Sequence, residues 1–150
     1  MKAVIQRVSR ASVTVDGKII SSIDNGLLVL LGIGNEDGTI DIEWLTKKIL
    51  NLRIFNDSNS IMNTSVMDND GDIIVVSQFT LMASTKKGSR PSYIKAAKPE
   101  IAVPLYNQFI SHLEKEFTKK IGTGIFGADM KIELLNDGPV TILLDSLNKE

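Results

Sequence analysis

Five aliphatic residues in a row, Leu27 to Leu31, set the first constraint on this chain. They sit between Asn25-Gly26 and Gly32, so the run is short and reads as a strand buried on both faces. Such a strand needs a packed layer on each side, and the neighbouring segments are suited to build it. Ala3 to Val8 is a largely apolar stretch, and Ala11 to Asp16 alternates apolar and polar residues as a half-buried strand does. Asp16-Gly17 is a type I′ hairpin signal leading into Lys18 to Ile23, and Asn25-Gly26 repeats that signal. The first 33 residues are therefore expected to form an antiparallel meander.

Farther on, the apolar period changes from two to between three and four. Thr39 can cap a helix with Asp41 and Glu43 in its first turn, where acids suit the dipole. Ile42, Leu45, Ile49 and Leu52 then give it one apolar face. Pro104 suits the first turn of a second helix, whose core stripe is Leu105, Phe109, Leu113 and Phe117. That helix is expected to reach about Lys120 and to end at Gly122 and Gly124. His112, the only histidine, lies beside the stripe and reads as a rim residue. Asp68-Asn69-Asp70-Gly71-Asp72 lacks the twelve-residue calcium pattern with its closing Glu and reads as a hairpin turn. Met130, Ile132 and Leu134 alternate in a strand, Asn136 to Pro139 is expected to turn the chain, and Val140 to Leu144 to return. The expected architecture is one α+β domain over residues 1–150: a curved, barrel-like, mostly antiparallel sheet with two main helices.

Composition narrows the function. The chain has no cysteine, which excludes disulfides, thiolate nucleophiles and Cys-ligated zinc and fits a reducing compartment. No apolar run approaches 18 residues, and Met1-Lys2 opens without a signal-peptide core, so the reading is cytoplasmic, with no membrane. A net charge of −1 gives no global case for nucleic acid, so any RNA contact needs a local basic patch. One such patch exists. Lys86, Lys87, Arg90, Lys95 and Lys98 follow one another with no acid before Glu100.

The chemistry points to one strand end. Ile73 to Val76 runs directly into Ser77-Gln78-Phe79-Thr80-Leu81, which brings hydroxyls and an amide to the end of a core strand. Polar groups there need partners or a ligand. No HExxH motif, Gly-rich phosphate loop or convincing Ser-His-Asp set is present. Thr80 is a candidate nucleophile, but an unassisted hydroxyl is a poor one. Protein groups at this site are therefore expected to position and polarise, main-chain N–H groups above all. Asp137-Gly138-Pro139 is the second unusual stretch, because Pro removes a backbone donor where the returning strand begins. Arg7 sits inside the first strand, where a surface position is the ordinary expectation and an inward brace the alternative.

Ser77-Gln78-Phe79-Thr80-Leu81 together with Asn136-Asp137-Gly138-Pro139-Val140-Thr141 resembles the two signature motifs of the D-aminoacyl-tRNA deacylase family. Ala3 to Val8 with Ala11-Ser12-Val13, Lys87 to Ser92 and Gly124 to Met130 are similar to further blocks of that family, in the same order. The resemblance implies a homodimer with two sites at its interface and no cofactor. It implies hydrolysis of the ester joining a D-amino acid, or glycine mischarged on tRNA(Ala), to the tRNA 3′ end. Gly138 and Pro139, joined by a cis bond, would enter the partner's pocket as a chiral gate. Phe79 and Thr80 would hold the substrate mainly through main-chain atoms, with Ser77 and Gln78 ordering that wall. Met130 would line the pocket and Arg7 brace the Gly-Pro stretch, while the tRNA 2′-hydroxyl assists the chemistry. Two rivals stand beside this reading: a Thr80-nucleophile hydrolase of small esters or peptides, and a non-catalytic RNA-binding module.

Overall fold

The computed structural model describes residues 1–149. Its strands are β1 (Lys2–Val15), β2 (Lys18–Ile23), β3 (Gly26–Gly32), β4 (Phe55–Asn56), β5 (Met62–Thr64), β6 (Asp72–Ser77), β7 (Gly122–Thr123) and β8 (Lys131–Asp145). Helix α1 spans Thr39–Asn51, α2 spans Pro99–Glu116, and a 3₁₀ turn covers Phe79–Met82. The expected α+β class with two main helices holds.

β1 organises the sheet. Its C-terminal part pairs with β2 from Ala11 to Val15, through the Asp16-Gly17 turn, whose φ angles of 49° and 75° are those of a type I′ hairpin. On the same edge its N-terminal part pairs with β3, from Lys2↔Gly32 to Val8↔Gly26. β8 covers the opposite edge along almost the whole length, from Lys2↔Asp145 to Thr14↔Lys131. These three pairings are antiparallel, whereas β3 pairs with β6, and β6 with β7, in parallel. Parallel neighbours need a crossover, which α1 supplies before β6 and α2 before β7.

Three local expectations fail for non-local reasons. The first strands are not a simple meander, because β2 and β3 each pair with a different part of β1 and not with each other. Gly26 is accordingly not a hairpin residue; a Cβ there would collide with the Asp72 carbonyl, so glycine permits close approach of β3 and β6. Residues 66–70 do form a turn, held by Ser65 N–H donating to the Asp68 carboxylate at 2.9 Å, but the strands it joins, β5 and β6, pair elsewhere. Asn136 to Pro139 does not reverse the chain. β8 runs on in one direction through this stretch as a bulge, because both of its halves find β1.

The helices differ in detail. Gly38 is the N-cap of α1, and its N–H donates to Asp41 at 2.8 Å; Thr39 is the first helical residue. α2 begins a turn earlier than Pro104, which lies exposed inside it, and ends at Glu116, short of Lys120. A proline this near the start costs only one main-chain bond. The buried face of α2 is Ala102, Tyr106, Phe109 and Leu113, with Leu105 at its margin. Together with Leu45 and Ile49 of α1, this face covers Ile5, Leu27, Val29, Leu31, Ile73 and Val75. Full burial of a side chain such as Phe109 is worth about 2–3 kcal/mol. Alternate residues Leu28, Ile74 and Val76 point to the other face, against Val8, Val13 and partly buried Met130, Ile132 and Leu134. β3 is thus buried on both sides, as expected. His112 packs between the helices, its Nδ1 2.9 Å from Thr46 Oγ1.

Candidate active site

The site forms where β6 leaves the sheet. Ser77 is the last strand residue, in register with Leu31. Gln78 N–H donates to the Leu31 carbonyl at 2.7 Å and then departs from strand geometry, at φ −142° and ψ 80°. The chain curls into the 3₁₀ turn, whose own hydrogen bonds include Leu81 N–H to Gln78 O at 3.2 Å and Ala83 N–H to Thr80 O at 3.1 Å. The amides of Phe79 and Thr80 are left at its open end, as at any helix start. The turn packs tightly over β3: a Cβ on Gly32 would lie 2.9 Å from Leu81 Cβ and 3.1 Å from Gln78 O.

Beside the turn is a cavity of about 270 Å³. Ser77, Gln78 and Phe79 form one wall, and Phe126, Ala128 and Met130, from the segment between β7 and β8, form another. The volume lies just under the ~300–1,000 Å³ of ordinary small-molecule sites, which suits an aminoacyl group better than a whole nucleotide. Among the described residues, no ionisable side chain lines it. Tyr106 stiffens the floor by donating its hydroxyl to Val75 O at 2.6 Å while its ring meets Phe126 edge-on. Burial pushes the Tyr106 phenol well above its ordinary pKa, so it stays a donor. Thr80 is exposed, and its Oγ1 accepts a hydrogen bond from the Gln78 amide. An amide N–H is no base, so this contact does not activate the hydroxyl.

The second group of expected residues lies elsewhere in the same chain. Gly138 and Pro139 are exposed and do not line the cavity; the peptide bond between them is cis. They occupy the β8 bulge, which fits four residues, 137–140, between the pairs Val8↔Asn136 and Gln6↔Thr141. Asn136 bridges its base, accepting from Val140 N–H at 2.8 Å and donating to Thr141 Oγ1 at 3.1 Å. Gly138 has φ +141°, a conformation that L side chains rarely adopt. Arg7 faces inward and is 8% exposed, so the ordinary surface expectation is overturned. Its Nε donates to Asp137 O at 2.8 Å and its Nη1 to Ile54 O at 2.7 Å. Arg7→Ala removes both donors and leaves the buried Ile54 carbonyl unsatisfied. We expect a loss of about 2–4 kcal/mol in urea unfolding, with Arg7→Lys intermediate.

Ser77, Gln78, Phe79 and Met130, expected at the site, line the cavity, and so do Phe126 and Ala128, which were given no role; Tyr106 behind it and the Tyr93 ring, which meets Phe79 at 5.0 Å, were given none either. Nothing local marks Phe126 or Ala128. Tyr106 was hidden one place from the stripe assigned to Leu105.

The geometry defines an α+β protein with a mixed sheet and a small cavity walled in part by a 3₁₀ turn, and the comparisons with known proteins say which family it belongs to. A family model described as D-Tyr-tRNA(Tyr) deacylase matches residues 4–145. The chain is 67% identical over 150 residues to the D-aminoacyl-tRNA deacylase of Flavobacterium psychrophilum, and 63% identical to that of Bacteroides thetaiotaomicron, with 100% of each chain covered. The solved structure of a c-Myc DNA Unwinding Element Binding Protein superimposes with a TM-score of 0.92 at 48% identity, covering 97% of this chain and 98% of that one. A probable eukaryotic D-amino acid tRNA deacylase, at 15% identity and a TM-score of 0.81 over 95% and 97% of the two chains, shares the fold. The chain belongs to the D-Tyr-tRNA(Tyr) deacylase family, and it is an enzyme of the hydrolase class.

Proposed function

We propose that this chain hydrolyses the ester of D-aminoacyl-tRNA, spares the L form, and does so at sites shared between two copies of itself. The observation that carries this reading is the cavity beside Phe79. Its wall includes Phe79, the first residue of the 3₁₀ turn, and no ionisable side chain lines it among the described residues. Such a site can position an ester and polarise its carbonyl, but it lacks a protein base. The attack is therefore assisted by the substrate's own 2′-hydroxyl, adjacent to the ester.

Handedness must be sensed without a fitted side-chain pocket, because the substrates vary in side chain and share only chirality. The carbonyl oxygens of Gly138 and Pro139 suit that task. Arg7 and Asn136 fix their backbone, and the residues are exposed for contact with another chain. Placed beside the α-carbon, they would clash with an L side chain and leave room for hydrogen. Since Gly138 and Pro139 do not reach their own cavity, the gate is supplied by the partner subunit, which makes the dimer part of the site. No described helix is long and apolar enough to cross a membrane, and the setting we assign is the cytoplasm.

A gate of this kind cannot reject glycine, which has hydrogen on both sides of the α-carbon. Glycyl-tRNA is expected to be cleaved and L-alanyl-tRNA, one methyl larger, to be spared; equal treatment of the two would contradict the gate. In the same assay Thr80→Ala should retain kcat/KM within about tenfold, whereas a loss beyond about 10³-fold would make Thr80 the nucleophile.

A further inference from the structure

Between the 3₁₀ turn and α2 the chain forms a short projecting finger. Ser84 and Ser92 exchange both main-chain hydrogen bonds, each at 2.9 Å, and close a loop whose residues 85–91 are all exposed. Its tip carries Lys86, Lys87 and Arg90, and Lys95 and Lys98 follow at its base. No acid occurs between Asp72 and Glu100, and among the described residues no ion pair engages any of these five cations. In a chain of net charge −1 this is a concentrated, unneutralised patch.

The finger is also fixed to the site. Tyr93, next to its base, meets the Phe79 ring edge-on at 5.0 Å. Asn35 holds the turn that follows, its N–H donating to Lys95 O at 3.2 Å and its side chain to Ile94 O at 3.0 Å. The cations therefore stand at a set reach from the cavity. The tip itself is tightened by a turn, Gly88 N–H donating to Thr85 O at 3.2 Å.

We propose that residues 84–92 are a phosphate-reading finger. It grips the RNA backbone near the 3′-terminal ester, and Tyr93 positions it against Phe79 so that binding the strand seats the ester at the turn. The inference rests on the function proposed above and names how the site takes hold of its RNA. Backbone contacts of this kind position the ligand without reading its sequence.

The test uses the full-length protein and a Lys86→Ala/Lys87→Ala/Arg90→Ala variant. Binding of deacylated tRNA is followed by fluorescence anisotropy between 50 and 200 mM salt, roughly the range over which phosphate contacts weaken measurably. Three contacts to a single strand predict that wild-type affinity falls about 20-fold more across that range than affinity of the variant. The second readout is the ratio of kcat/KM for D-tyrosyl-tRNA to that for D-tyrosyl-adenosine, which has no strand to grip. The ratio should drop at least tenfold in the variant. Tyr93→Ala should lower the same ratio and Tyr93→Phe, which keeps the ring contact, should restore it. An unchanged salt slope and ratio would overturn the proposal and point the patch to another polyanion, such as an acidic protein. A wild-type enzyme that cleaves neither ester would defeat the proposed function instead, and the binding arm would still decide the finger.

Discussion

Phe79→Pro is expected to lower kcat by about 10²–10³ while leaving the fold intact, and Phe79→Leu to stay within about tenfold of wild type. Position 79 is the first residue of the 3₁₀ turn, where proline's fixed φ is suited and its missing N–H breaks no bond of the turn. Gln78 before it has a φ of −142°, within the range favoured before proline, and a ψ of 80°, so the substitution needs only a shift in ψ there. The substitution therefore removes one donor from the open end of the turn. Leucine instead removes the aromatic ring and keeps the donor. If carbonyl polarisation comes from main-chain N–H groups, the two variants separate in kcat; if the ring does the work, they fall together. Circular dichroism and thermal melting check that Phe79→Pro is folded.

The second large effect is recovery of activity by mixing two inactive proteins. Gly138→Ala forces a side chain onto φ +141° and places its Cβ 3.1 Å from Arg7 Nη2 and 2.8 Å from Val140 Cγ2, so the bulge must move. Its homodimers and those of Phe79→Pro should each lose most activity. In a heterodimer one site combines an intact turn with an intact bulge, and the other combines both defects. Random exchange makes half the dimers mixed, so about a quarter of all sites recover. No recovery, with heterodimers shown to form by mass, would place the gate and the turn in the same subunit and contradict the shared site.

The sequence revealed what local physics decides. The Asp16-Gly17 turn, the alternation of Ala11 to Val15 and the two apolar helix faces each depend on neighbours a few residues away, and each was legible. The pairing of β1 with β2, β3 and β8 was not, because it depends on contacts across the chain. Asn25-Gly26 looked like a hairpin, yet its glycine answers to the Asp72 carbonyl 46 residues later. Gly138-Pro139 looked like a reversal for the same reason: only the far halves of β1 show that β8 continues. The burial of Arg7 rests on partners 47 and 130 residues away. For the site, the motif residues were visible because polar groups at a buried strand end are conspicuous. Phe126 and Ala128 entered only within the family-like block Gly124 to Met130, since small and apolar residues in a loop carry no chemical signal of the cavity they line.

The most direct test is a side-by-side time course of the wild-type protein on D-tyrosyl-tRNA and L-tyrosyl-tRNA, prepared on the same tRNA and followed by release of the amino acid. The account predicts rapid release from the D ester and none above the uncatalysed rate from the L ester. Release from neither would contradict the assigned activity, and equal release from both would contradict the main-chain gate.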